Sequence, residues 1–138
     1  MAKRRSERAR LTDKLDGLCR EIVRHLAKNC CEKCHKYVTG SDSHPSHVIP
    51  KGNGASWRRF DLRNIQHLCR ACHLYWWHKN TVEADEWFKA GWPHLDKYLD
   101  IYKGGKPAKI TTPDMRDLAV VLRNKLADLI KETKQCEI

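Results

Sequence analysis

The sequence predicts a small α+β protein: a strand–strand–helix unit stapled by a metal ion, with helices on both flanks. Three observations predict it. Two Cys-x-x-Cys pairs, Cys31/Cys34 and Cys69/Cys72, bracket the middle of the chain. Apolar residues recur at helical spacing before and after that bracket. Inside it, helical periodicity is absent until the end, and glycine, proline and β-branched residues mark short extended pieces and turns.

Taken in order, residues 1–29 read as a basic arm and an N-terminal helix. Lysine and arginine dominate the first ten positions, and Leu11, Leu15, Leu18, Ile22 and Leu26 then follow at steps of three or four. The signal fades near Asn29. Residues 30–80 form the core unit. Val48-Ile49-Pro50 predicts a short strand, Lys51-Gly52-Asn53-Gly54 a turn, Trp57 to Phe60 a returning strand, and Ala71 to Lys79 a helix. Residues 81–138 form a helical extension. Glu83–Ala90 is one helix, ended by Gly91 and Pro93, and His94–Tyr102 another, stopped by Gly104-Gly105. A basic linker covers 103–109. Thr112-Pro113-Asp114 then supplies a hydroxyl cap, a proline at the first helical position and an acid at the positive end of the dipole. Met115, Leu118, Val121, Leu122, Leu126, Leu129 and Ile130 give that last helix an apolar stripe. Core packing accounts for both terminal stripes; a homodimer interface is the alternative use. The three segments together are one compact domain.

Composition narrows the class. The 138 residues suit one domain, but 32% are charged, and so polar a chain gains from a metal or disulfides beside its core. A formal net charge of +10 attracts polyanions. The start, Met1-Ala2-Lys3-Arg4-Arg5, lacks the apolar stretch of a secretory signal, and no run approaches a membrane span. The expectation is therefore a reducing, cytoplasmic setting, with no membrane partner. Clustered thiols in that setting favour metal over disulfides.

Cys31, Cys34, Cys69 and Cys72 supply the four thiolates of a tetrahedral structural zinc. Cys30 is a competitor for Cys31, but only Cys31 has the x-x spacing. Cys19 and Cys136 are expected to be ordinary thiols. Between and beside the pairs stand His44-Pro45-Ser46-His47-Val48-Ile49-Pro50, then Asp61-Leu62-Arg63-Asn64, then Cys72-His73. His47, Asn64 and His73 are thus tied to one clamped unit, and such a unit can hold a reactive constellation rigidly.

His-Val-Ile-Pro, then Asn, then Leu-Cys-x-x-Cys-His resembles the HNH nucleases with a four-cysteine zinc clamp, over roughly residues 31–79. The resemblance implies the ββα-metal fold and hydrolysis of DNA phosphodiesters. It also implies roles: His47 as general base, His73 as ligand of one catalytic divalent ion (Mg²⁺, Mn²⁺, Ni²⁺ or Zn²⁺), and Asn64 either orienting His47 or giving an oxygen to the ion. These residue types suit the reaction, since a near-neutral imidazole can take a proton from water and a divalent ion can neutralise the phosphate. His44-x-x-His47, Arg59-Phe60-Asp61 and the helical tail are similar to phage recombination endonucleases of the Rap/NinG type. That narrower likeness implies branched DNA, such as Holliday junctions, as substrate, and the cytoplasm of a bacterial or phage-infected host cell as the setting; many of that group carry Asn where His73 stands.

The sequence departs from the HNH pattern at Ser46, where many relatives have an Asp or His ligand. His44 and His78 are the candidates to fill the gap. Lys51, Trp57, Arg58 and Arg59 around the hairpin are candidate DNA contacts, as cations for phosphates and an aromatic for an unpaired base. Trp76, Trp77, Trp87 and Trp92 are expected in the core, and His25, His35, His67 and His94 to be ordinary. The competing readings are a zinc-dependent DNA-binding module without catalysis and a non-specific nicking phage nuclease of the same type.

Overall fold

The structure, a computed structural model, describes residues 3–136, with side chains through Lys134. Met1, Ala2 and the Cys136 thiol lie outside what is described.

Helix α1 spans Glu7–Leu26. Ser6 caps it by accepting from the Ala9 N–H at 3.1 Å, and Arg24 and His25 sit in its last turn, where the dipole favours cations. Its buried face is Leu15, Cys19, Ile22 and Val23. The chain leaves it through Lys28 and Asn29, both at positive φ (54° and 62°). A short bridge, Cys30 to Tyr37, then closes the first cysteine loop.

The sheet has two antiparallel strands, β1 (Ser43–His47) and β2 (Ile65–Cys69), in register from Ser43↔Cys69 to His47↔Ile65. This corrects the strand expectations. Residues 48–50 are not a strand, because the Asn64 side chain takes the place of a partner: the Ile49 N–H donates to Asn64 Oδ1 (2.7 Å) and Asn64 Nδ2 donates to the Ile49 carbonyl (2.9 Å). Trp57 to Phe60 is a turn whose helical part is the 3₁₀ segment Arg58–Phe60, closed by the Phe60 N–H on the Trp57 carbonyl. The true second strand, β2, is buried at every residue. A strand covered on both faces shows no polar alternation, so the period-2 signal was missing.

After β2 comes a π-helical turn, Cys72–Trp77, shorter than the expected helix. Helix α2 (Thr81–Gly91) and helix α3 (Pro93–Tyr98) follow, and α3 tightens into a 3₁₀ turn, Leu99–Tyr102. Gly104 at φ 77° turns the chain out. Helix α4 is Thr112–Cys136. Its cap falls one residue earlier than expected: Thr111 Oγ1 accepts from the Asp114 N–H (3.2 Å), while Thr112 Oγ1 accepts from Arg8 (3.3 Å).

Two cores result. In the larger, α1 packs on α4 through Leu15, Ile22, Met115, Ala119 and Leu122, joined by Phe60, Ile65 and Ile110. The terminal stripes thus cover each other, leaving Val120, Val121 and Ile130 exposed. The smaller core holds Cys31, Val38, Leu68 and Cys69, with Cys72, Trp77 and Trp87 against it. The tryptophans expected inside form instead a half-buried cluster. Trp87 meets Trp76 and Trp92 edge-on, with centroids 5.2 and 4.8 Å apart. Trp76 keeps its N–H at the surface on Glu83 (3.2 Å), as an amphipathic ring prefers. Among the described residues, no helix is long and apolar enough to cross a membrane.

Candidate active site and metal centre

Two clusters are built on the β1–β2 hairpin. At the Ser43↔Cys69 end, the sulfurs of Cys31, Cys34, Cys69 and Cys72 all lie within 4.8 Å of one another. Cys34 Sγ and Cys69 Sγ are 3.8 Å apart. A tetrahedral zinc with bonds of about 2.3 Å has a sulfur–sulfur edge of about 3.8 Å. Both x-x loops turn a backbone N–H onto their first sulfur, Cys34 onto Cys31 (3.5 Å) and Cys72 onto Cys69 (3.4 Å), which favours thiolates. The tetrad fits a structural metal ion such as zinc, and among the described residues no other group of three His, Cys, Asp or Glu gathers its ligand atoms so closely. Cys30 stands outside it, its thiol on the Lys28 carbonyl. Cys19 is buried in the larger core, and burial, aided by Asp16 and Asp61, pushes its thiol up to about 12.

His67 is fully buried and serves this end structurally. Its Nδ1 meets the Cys30 carbonyl (2.8 Å), its Nε2 meets Ser43 Oγ (2.7 Å), and its backbone N–H donates to Glu32 (2.9 Å). His35 is exposed beyond the first loop, at φ 65°.

β1 and the π turn also bring histidines together, His44 one step from the Ser43↔Cys69 pair and His73 next to Cys72. His44 Nδ1 lies 3.0 Å from His73 Nδ1, and His78 Nε2 lies 3.0 Å from His73 Nε2. The second contact depends on the π turn. Its i→i+5 bond, the His78 N–H on the His73 carbonyl, sets residues five apart side by side, which an α-helix does not. His73 therefore offers one edge to His44 and the other to His78, and a single ion can take only one edge. His44 Nε2 meets the Ser41 carbonyl at 3.0 Å. A carbonyl only accepts, so that nitrogen bears the proton and Nδ1 is left as the free donor atom for a metal. Burial, with His78, His44 and His47 nearby, drops His73 to about 4, so it is neutral at physiological pH.

His47 closes the strand. Its Nε2 donates to the Arg59 carbonyl at 2.8 Å, so Nδ1 is the basic nitrogen of the neutral ring. Burial lowers its pKa below the usual imidazole value. Lys51 and the Arg59 charge add to that, against the carbonyl bond and Asp16.

Asn64 is fully buried, and its amide is committed to backbone: the two Ile49 bonds and a third from Nδ2 to the Arg58 carbonyl (3.0 Å). It holds the loop that carries Arg59, so its route to His47 is indirect and its oxygen is not free for a metal. Ser46 shares the His44 face, as strand alternation requires, but is fully buried, and its hydroxyl has no partner. Its cross-strand neighbour Gln66 likewise keeps Oε1 unpartnered.

The candidate DNA contacts divide. Lys51 and Trp57 are exposed. Arg59 is consumed by a bidentate pair with Asp16, Nε to Oδ1 at 3.0 Å and an Nη to Oδ2 at 2.6 Å. Arg58 is half-buried and reaches the Gly105 carbonyl. Sequence could not foresee this, because Asp16 lies on α1, far away in the chain.

A cleft of about 790 Å³ joins these parts. His47, His73, His78, Lys51 and Arg59 line it, and α1 walls it with Asp13, Asp16, Gly17 and Arg20. No protein-family model, curated protein or solved structure matches this chain. The reading of the site rests on its own residues. Two of these need comment: Asp16 belongs to no sequence motif, and Asp61 stands in one without a role of its own. Burial raises the Asp61 carboxyl, but the hydroxyls of Tyr102 (2.6 Å) and Tyr98 (2.5 Å) hold it below its ordinary range. It ties the Leu99–Tyr102 turn to the loop before Asn64. The one sequence signal was position: Asp13, Asp16 and Arg20 share the polar side of α1, three and four residues apart.

Proposed function

We propose that this chain is a metal-dependent endonuclease of the HNH type that hydrolyses DNA phosphodiesters, with branched recombination intermediates as its substrate class. The observation that carries the reading is His47: a neutral imidazole with one nitrogen fixed on the Arg59 carbonyl and the other free, in a cleft it shares with His73. That is the state a general base needs.

His47 Nδ1 takes a proton from water as the water oxygen bonds to phosphorus and the bond to the leaving strand breaks; the leaving oxygen takes its proton from solvent. His44 and His73 would hold the catalytic ion. The His44 ring is already aimed by the Ser41 carbonyl, and His78 meets the other nitrogen of His73, as outer partners of metal-bound histidines commonly do. The ion supplies charge neutralisation at the phosphate and the leaving oxygen when bound. Lys51 and the exposed Trp57 are left to meet DNA, and the +10 charge draws the polyanion in. The branched-substrate reading rests on the likeness to the Rap/NinG type and on the lack of any larger base-reading module among the described residues. The partnerless Ser46 hydroxyl favours a second reading, a zinc-stapled DNA-binding module that has lost its ion, which predicts binding without cleavage.

The test is cleavage of supercoiled plasmid and of a synthetic four-way junction, with Mg²⁺, Mn²⁺, Ni²⁺ or Zn²⁺ added to zinc-loaded protein. His47→Ala is expected to lower the rate by roughly 10²–10⁴-fold with fold and zinc content unchanged. Because burial lowers the His47 pKa, the neutral base persists as pH falls, so the acid limb of the rate profile should lie below the ordinary imidazole value. A mutant that cuts at the wild-type rate sinks the mechanism; binding with no metal-dependent cleavage favours the second reading.

A further inference from the structure

His47 owes its orientation to one backbone carbonyl, and that carbonyl sits in a poor place to be rigid. Arg59 lies in a three-residue 3₁₀ turn, Arg58–Phe60, which has few internal bonds of its own. The turn is held from outside on two sides. From within the zinc-clamped unit, Asn64 donates to the Arg58 carbonyl at 3.0 Å. From outside that unit, Asp16 on α1 grips the Arg59 guanidinium through both of its oxygens, at 3.0 and 2.6 Å. The same guanidinium also donates to the Gly54 carbonyl at 3.2 Å, fixing the other arm of the loop. The pair is no ordinary surface bridge. The arginine side chain is 13% exposed and the geometry is bidentate, the arrangement that gives such pairs directional strength.

We propose that Asp16 is a positioning residue for His47: by clamping Arg59 from α1, it holds the carbonyl that fixes the imidazole in its Nε2–H form with Nδ1 free. The proposal rests on the reading of His47 as general base and extends it to a helix outside the zinc-clamped segment. Asp16 also lines the same cleft as His47. Its negative charge there stabilises the imidazolium that forms once the proton has moved, a second effect with the same sign. The charged and titratable groups facing His47 are Asp16 from α1, Lys51 from the loop, Arg59 from the turn and His73 from the π turn. Asp16 is the one anion among them; Asp85 also lines the cleft but is paired with Lys89. Asp13 beside it is engaged with Arg5.

The experiment compares Asp16→Asn and Asp16→Ala with wild type in the full-length, zinc-loaded protein. The first readout, independent of cleavage, is the ¹⁵N spectrum of the His47 ring, which reports its tautomer. Wild type should show a single Nε2–H form, and Asp16→Ala a mixture of both. The second readout splits kcat from KM on a four-way junction. The kcat of Asp16→Ala should fall by up to about 10²-fold, the scale of a catalytic group displaced by about 1 Å, with KM nearly unchanged. Asp16→Asn, isosteric but able to accept at only one oxygen, should lie between the two, and it carries the test if the alanine variant folds poorly. Zinc content should be unchanged throughout. A pure Nε2–H ring in both variants overturns the proposal, as does a change in KM with kcat intact, which would make Asp16 a binding residue. If wild-type protein does not cleave, the nuclease reading falls, and the tautomer measurement alone decides whether Asp16 positions His47.

Discussion

The two ends of one short hairpin solve the same problem by different physics. At the Ser43↔Cys69 end, the buried apolar residues among those described are Val38 and Leu68 beside the cysteines, with Trp77 and Trp87 half-buried against them, a small core. Four cysteines placed to converge on one metal ion can make up the difference. At the His47↔Ile65 end, Ile65 joins a core built from α1 and α4, in which Leu15, Ile22, Ile110 and Met115 are all fully buried. Here apolar burial does the ordering, and the polar residues are left for a site. The lesson is that a metal-ligating cluster and an apolar core can be built on one strand, β2, whose residues serve both.

The largest expected effect breaks the metal side. Chelation, or the double substitution Cys31→Ser with Cys72→Ser, should remove stabilisation on the order of 10 kcal/mol from the tetrad, since metal binding and folding are linked there. Hydrogen exchange should show residues 30–38 and 65–72 losing protection first. A double mutant that is metal-free yet keeps wild-type protection in those segments would refute the structural role.

The next effect breaks the apolar side. Leu15→Ala, at a fully buried position, should cost about 3 kcal/mol in denaturant unfolding. Zinc stoichiometry of the folded protein should stay at one per chain. Zinc lost in step with the larger core would mean that the two ends do not stand apart energetically, and the comparison would fail.

The smallest effect sharpens the line between them. Ser46, paired with Gln66 beside the His47↔Ile65 end, hides a hydroxyl with no partner. Removing such a group costs little, and Ser46→Ala should be neutral or stabilising within about 1 kcal/mol, with an unchanged metal requirement for cleavage. A rise in the metal concentration needed for half-maximal cleavage would instead assign Ser46 to the ion's surroundings and displace His44 from that role.

The sequence by itself determined the helices at both flanks, the cysteine tetrad and the identity of the histidines. Each of these is written in local spacing: three-and-four steps for a helix face, x-x for two sulfurs on one ion. The strands were misplaced because β2 is buried on both faces and carries no alternation, while of the β-branched pair at 48–49 Val48 donates its N–H to the Asn64 backbone carbonyl and Ile49 is held by the Asn64 side chain instead of a neighbouring strand. Only the tertiary structure decided how the histidines pair. A π turn, invisible to a 3.6-residue period, brings His78 onto His73, and strand register brings His44 to the opposite edge. Only the tertiary structure, too, set Asp16 against Arg59 and Asp61 against Tyr98 and Tyr102. Charge pairs between distant segments leave no periodic trace, since their energy depends on where two chain segments meet rather than on how either one is spaced.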